Sequence, residues 1–180
     1  MIINQNSTEI SPESVVTVQS NAELRSEAGT LWETQVVFEN IGGNGIEYFA
    51  FTTGTNPVYV TRRVVGGSFE DVTYSIYKGA IVSGGNNVPV GNLSDINAQT
   101  TQGVLVSDPT ISSEGTLWSP PYRILGDVVQ GSSRASNVSY GEGHGVRALA
   151  PNTTYLVKIE NNQNENITVL TVDISFYEET

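Results

Sequence analysis

Cysteine is absent from this chain of 180 residues, and histidine and methionine occur once each. No disulfide can form, and thiol nucleophiles, zinc ribbons and iron–sulfur ligation fall away with the missing thiols. A domain of this length buries roughly 70% of the surface its unfolded chain exposes, so it needs no such staple. It can therefore mature in a reducing cytosol wherever it later works. Basic residues are also scarce: eight Lys+Arg stand against nineteen Asp+Glu, a formal net charge of −11. Nucleic-acid affinity comes largely from phosphate neutralisation, which requires a cationic face. Here Arg25, Arg62, Arg63, Lys78, Arg123, Arg134, Arg147 and Lys158 are scattered, with only Arg62 and Arg63 adjacent. Nucleic acid is not expected as a partner, and anionic membranes are disfavoured for the same reason. No apolar run approaches the ~20 residues of a membrane span. Met1–Glu9 has neither a basic nor an apolar stretch, so no ordinary signal peptide is expected.

Charged residues of both signs make up only 15% of the chain, and Asn, Gln, Ser, Thr and Gly take their place. A neutral polar surface suits a protein that packs against copies or neighbours. Apolar residues recur with period two, and the 3.6-residue period of helices is nearly absent. Trp32–Phe38 alternates, as do Val72, Tyr74 and Ile76, and again Leu170, Val172, Ile174 and Phe176. Each segment offers one face to a core and one to water or a partner. Further strands are expected at Ile46–Thr53, Pro57–Val65, Thr101–Val106, Thr116–Leu125 and Thr154–Glu160, with weaker signals at Val15–Gln19 and Gly145–Leu149. Between these runs stand Gly42-Gly43-Asn44-Gly45, Gly66-Gly67, Gly84-Gly85-Asn86-Asn87 and Asn161-Asn162-Gln163-Asn164. Gly and Asn tolerate the positive φ of tight reversals. The pattern predicts an all-β chain: an antiparallel β-sandwich, jelly-roll-like, with an extended N-terminal arm.

The expected division is an arm or weakly structured segment at 1–30 and one sandwich domain at 31–180. Within 1–30, Ser11-Pro12 could open a helix, but Val15-Val16-Thr17-Val18 prefers strand, so an arm lying on a neighbour is expected. Residues 83–100 and 126–145 are rich in Gly, Ser and Asn and read as long surface loops.

Chemistry is hard to find in this composition. His144, in Gly141-Glu142-Gly143-His144-Gly145, is the one candidate general base. A triad would need Ser133 or Ser139 beside it and Asp127 behind it; the spacing gives no support, and no Gly-x-Ser-x-Gly elbow occurs. His144 reads as a loop residue. Glu70-Asp71, Glu178-Glu179 or the Glu142 region could supply a glycosidase pair, whose carboxyls stand about 5–10 Å apart. Any acidic sandwich offers as much. No Asp-x-Asp-x-Asp-Gly calcium loop is present. Trp32 falls on the apolar phase of its strand and reads as core. Trp118, before Pro120-Pro121, fits either a corner or an interface. Sugar stacking on these rings is the alternative use. The sequons at Asn6, Asn92, Asn137, Asn152 and Asn166 are as many as this composition yields by chance. No catalytic, cofactor-binding or metal residue is assigned, and the chain is not expected to be an enzyme.

The C-terminal third reads Arg147-Ala-Leu-Ala-Pro-Asn152-Thr-Thr-Tyr155-Leu-Val-Lys-Ile-Glu-Asn161, then a polar turn and a strand ending Phe176-Tyr177-Glu178. This resembles structural proteins of tailed bacteriophages, with Leu-x-Pro-Asn-Thr-x-Tyr-Leu and a closing aromatic-Glu strand. Ile76-Tyr-Lys-Gly79, Val82-Ser-Gly-Gly85, Gly91-Asn-Leu-Ser94, Phe51-Thr-Thr-Gly54 and Gly115-Thr-Leu117 are similar to the same family's strand and turn segments. The likeness spans residues 30–178. It implies a head decoration (cement) protein on the outer capsid surface, made in the host cytoplasm and often trimeric, with the major capsid protein or other virion subunits as partners. A tail, collar or fibre-base component is the alternative, and a carbohydrate-binding sandwich the second.

Overall fold

The computed structural model describes residues 21–126, 136–140 and 146–179, with backbone alone for 21, 22 and 136–140. Alternation in the sequence becomes pairing across the core. Strand β1 (Leu31–Ile41) runs antiparallel to β14 (Ile167–Glu178), setting Trp32 opposite Phe176, Val36 opposite Val172 and Phe38 opposite Leu170. All six side chains are buried, and the Trp32 and Phe176 rings stack with centroids 5.7 Å apart. The intervening Glu33, Gln35 and Val37 face outward, as the two-residue period of a strand requires.

The remaining long strands nest inside that outer pair. Strand β2 (Ile46–Thr52) pairs with β13 (Thr154–Asn161). Strand β3 (Val58–Gly67) pairs on one side with β14 and on the other with β11 (Ser136–Tyr140) and β12 (Arg147–Leu149). Strand β4 (Asp71–Lys78) pairs with β10 (Thr116–Leu125) and with β13. Two antiparallel six-stranded sheets result. One has the order β11-β3-β14-β1-β7, with β12 also on β3; the other has the order β10-β4-β13-β2-β8-β6. Outside the segment between β4 and β10, successive strands switch sheets except at β4–β10 and β11–β12, so the chain is one long hairpin wound into a barrel-like sandwich. That winding is the jelly roll.

The two sheets differ in what covers them. Between β4 and β10 the chain adds β5 (Ile81–Ser83), β6 (Asn86–Asn87), β7 (Val90–Asn92), β8 (Val104–Ser107) and β9 (Thr110–Ser113). The β5–β9 ribbon closes over the outside of the second sheet, where Val82 and Ile111 pack with Tyr48, Tyr77 and Val106 on Ala50 and Leu156. Leu156 and Ala50 are fully buried there, on the face away from the main core. A sheet buried on both faces needs apolar residues in unbroken runs. Phe49-Ala50-Phe51 and Tyr155-Leu156-Val157 are such runs.

This insertion corrects the expectation of a plain surface loop at 83–100. Strand β7 pairs with Trp32–Thr34 of β1, and β6 pairs with β8, so the segment extends one edge of each sheet. Asn92 holds its far end: its Nδ2 donates to Gly29 O and Gln99 O at 2.8 and 3.0 Å, and its Oδ1 accepts from Ser94 N at 2.8 Å. The expected loop at 126–145 is likewise interrupted by β11; residues 127–135 and 141–145 lie outside the described residues. Of the expected arm, residues 1–20, with Val15–Gln19, lie outside them too. Asn21–Glu27 forms a short helix, α1, tied to the sandwich by Ser26 Oγ donating to Leu93 O at 3.1 Å and by Arg25 over the Tyr177 ring at 4.5 Å.

Candidate functional site

His144, Ser133, Asp127 and Glu142 lie outside the described residues; Ser139 sits in β11, its backbone opposite Val64. Asp71 accepts from Arg123 Nε and Nη2 at 2.9 and 2.5 Å and from Asn162 Nδ2 at 3.1 Å. These donors, the Arg123 guanidinium foremost, hold its carboxyl below the usual range. Its neighbour Glu70 is exposed, with its backbone N–H on Gln163 Oε1. Glu178 is buried and accepts from the Thr101 hydroxyl and from the backbone N–H of Gln102 and Gly103, both at 3.0 Å. Glu179 instead meets Arg25 at 3.6 Å. Neither adjacent pair converges on a shared space, because neighbours in an extended chain face opposite ways. Among the described residues no three His, Asp or Glu side chains gather as a metal site.

The Leu149–Tyr155 segment forms a corner. Asn152 takes a left-handed φ of 47° between β12 and β13, and its N–H donates to Gly54 O at 2.7 Å. Buried Thr53 donates its hydroxyl to Ala150 O at 2.7 Å and accepts from Thr153 N at 3.0 Å. The Tyr155 hydroxyl accepts from Ala150 N at 2.8 Å. Pro151, Asn152, Thr153 and Tyr155 thus explain themselves through the turn they build, and Phe51-Thr-Thr-Gly54 is the other half of the same corner. Asn161 closes the next turn, donating to Gly42 O and Glu165 O, both at 2.9 Å.

Two surfaces are left without such an explanation. The first is the outer face of the β1–β14–β3 sheet, which no described segment covers beyond α1. It carries Gln35, Val37, Glu39, Val169, Thr171 and Asp173, with Gln35 Nε2 bonded to Asp173 Oδ1 at 2.7 Å. Val37 and Val169 are 46% and 37% exposed, which makes this face mixed rather than charged. At its margin, β7 pairs only with Trp32–Thr34, so on the edge away from β14 Gln35–Ile41 of β1 has no strand beside it among the described residues.

The second is a cleft between the sheets, lined by residues that include Arg63, Tyr74, Trp118, Arg147 and Leu149. Trp118 stands edge-on to Tyr155 at 5.1 Å, and the Arg147 guanidinium lies 5.4 Å from its centroid. Arg63 lies 5.7 Å from the Tyr74 centroid, and burial pushes that phenol's pKa up. Neither arginine stands out in the sequence, where both belong to a scattered set of cations.

Fold and surfaces together define an all-β, antiparallel sandwich of jelly-roll winding. No family model and no curated protein matches the chain. Among solved structures it is similar to the infectious bursal disease virus Gt strain, at 15% identity and a TM-score of 0.19, over 96% of this chain and 44% of that one. It is also similar to a mutant VP2 protein of the same virus from derived T=1 particles, at 12% identity and a TM-score of 0.13, over the same 96% and 44%. The chain spans less than half the length of either, and likeness at these TM-scores carries no argument about function.

Proposed function

We propose that the chain is a virion structural protein of the head decoration (cement) kind, which binds the outer capsid surface and stabilises the head across subunit seams. The observation that carries this reading is the asymmetry of the sandwich. One sheet is closed on its outside by the chain's own β5–β9 ribbon, whereas the other, among the described residues, is covered only at the α1 corner and keeps half-exposed Val37 and Val169 beside the unpaired edge Gln35–Ile41. Such a face and edge suit contact with another subunit. The net charge of −11 favours a place outside the shell, away from packaged DNA. The motif resemblance supports the same reading, with trimers as the expected form. Binding only the assembled shell stabilises it by mass action.

A tail, collar or fibre-base role draws on the same surface. The sugar-binding reading has less support: Trp32 is buried and Arg147 covers one face of Trp118. The test is to mix purified protein with undecorated capsids and, separately, with tails of the same virus, and count bound copies. Saturation on capsids at a symmetry-related number is expected, weakened by Val37→Glu. Binding to tails alone would favour the alternative, and binding to neither would remove both.

A further inference from the structure

Among the described residues β10 has no strand on the side away from β4, and that edge is blunted. Pro120-Pro121 offers no N–H, and two irregularities break the register with β4. The edge of β1 beyond β7 carries neither device: Gln35-Val36-Val37-Phe38-Glu39 holds no Lys or Pro, and its register with β14 is unbroken. Which backbone groups stand open follows from the pairing. Leu31 O accepts from Leu93 N at 3.0 Å, so the odd-numbered residues of β1 turn N–H and C=O towards β7 and the even-numbered ones towards β14. Past Thr34, where β7 ends, the groups of Gln35, Val37 and Glu39 face a side on which no described strand lies.

The shape of this window selects its occupant. Strand β7 closes it at one end; at the other, the left-handed φ of 56° at Asn40 turns Ile41 inward. The β1 strand of a second copy, run antiparallel about Val37, would carry its own Asn40 and Ile41 into the place of β7. A short extended segment fits instead. Val15-Val16-Thr17-Val18-Gln19 matches the window in length, is uncharged, and is β-branched at every position but the last. Laid on Gln35–Glu39 in either direction with Thr17 opposite Val37, it sets Val16 and Val18 beside buried Val36 and Phe38. Val15, Thr17 and Gln19 then join the mixed outer face. Run antiparallel, they oppose Glu39, Val37 and Gln35 and exchange about six backbone hydrogen bonds. Reach bears on whose segment it is. Only Ser20 separates Gln19 from α1. That helix is moored over Tyr177, opposite Leu31 and roughly 13 Å along β1 from Gln35. A one-residue link spans about 7 Å, which favours a neighbouring copy as the source.

We propose that Val15–Gln19 of one copy adds as a strand to the Gln35–Glu39 edge of the next, a head-to-tail exchange of the kind that closes into rings. It leaves the outer face to the capsid and does not depend on capsid attachment. The test uses the absence of cysteine. Full chains carrying Thr17→Cys and Val37→Cys are mixed and mildly oxidised, and disulfides between the two variants are expected well above random pairing, since Thr17 meets Val37 in both strand directions. In the wild type, amide exchange at Gln35, Val37 and Glu39 should be on the order of tenfold slower in associated copies than in monomers, separated by dilution and mass. Val18→Asp should remove that protection while β13 and β14 keep theirs. Mixed disulfides at the random level would overturn the proposal. So would protection that survives Val18→Asp, which would give the edge to some other occupant. Protection at monomer mass that Val18→Asp removes would seat the segment on its own chain and overturn the exchange. No capsid enters these measurements, so their failure leaves the decoration reading standing, and a failure to bind capsids leaves the exchange standing.

Discussion

Asp71 shows how one side chain can serve two turns at once. It closes an ion pair with Arg123 on β10 and accepts from Asn162 in the turn after β13. Its pKa in the folded chain lies below the ordinary aspartate range, chiefly through the Arg123 hydrogen bonds. For a lowered acid pKa the stabilisation is present above the ordinary value and fades as pH falls through the folded one. A carboxyl-carbon NMR titration should find Asp71 among the last aspartates to protonate, and Arg123→Gln should move it back up. The pair is exposed on the arginine side, so its share of global stability is small. Arg63 teaches a different lesson at this scale. Val58 and Val60 point inward, and strict alternation would send Arg62 inward after them. An irregularity opposite Ser175–Phe176 leaves one residue of β3 extra, so Arg63 follows Val60 into the interior while Arg62 pairs outside with Glu33 at 3.6 Å. Nothing in the local composition marks that extra residue, which is why the cleft was not legible in the sequence.

Elements with one wet face were readable: β1, β4 and β14 alternate over most of their length, and Gly or Asn stands at the turns between them. Strands β2 and β13 were legible as apolar runs, but the reason for the runs was not, because the ribbon that covers them is short and polar. Ile81–Ser83 and Thr110–Ser113 pair only with each other, and Asn86–Asn87 is too brief to show any period. Strand β11 hides in a Gly/Ser-rich stretch and is a strand by virtue of lying beside β3. The ribbon attaches to the sheet through a few apolar contacts, Val82 and Ile111 foremost. Ile111→Asp should release it locally: hydrogen exchange at 81–83 and 110–113 should accelerate while β1 and β14 stay protected. The loss of global stability should be about 1–2 kcal/mol. Collapse of the whole fold would show instead that the ribbon is part of the main cooperative unit.

Across the whole molecule, nested pairing sets the folding problem. Strands β1 and β14 come from opposite ends of the described chain, and closing them demands the largest loop the topology contains. Such contacts are slow to form because loop entropy is lost before any contact repays it. Stopped-flow refolding should report times on the order of a second rather than microseconds, and a microsecond phase carrying the full amplitude would contradict the winding described. The same winding decides where the molecule can be handled. Helix α1 and the end of β14 meet at one corner, with Arg25 touching both Tyr177 and Glu179. The Gly42–Gly45 and Asn161–Asn166 turns sit together at the far pole, joined by Asn44 Nδ2 on Asn164 Oδ1 at 3.2 Å. A gold cluster attached at that pole and another at the helix corner would stand at opposite ends of the particle, so a micrograph of the labelled protein on any support would read out which way up it sits.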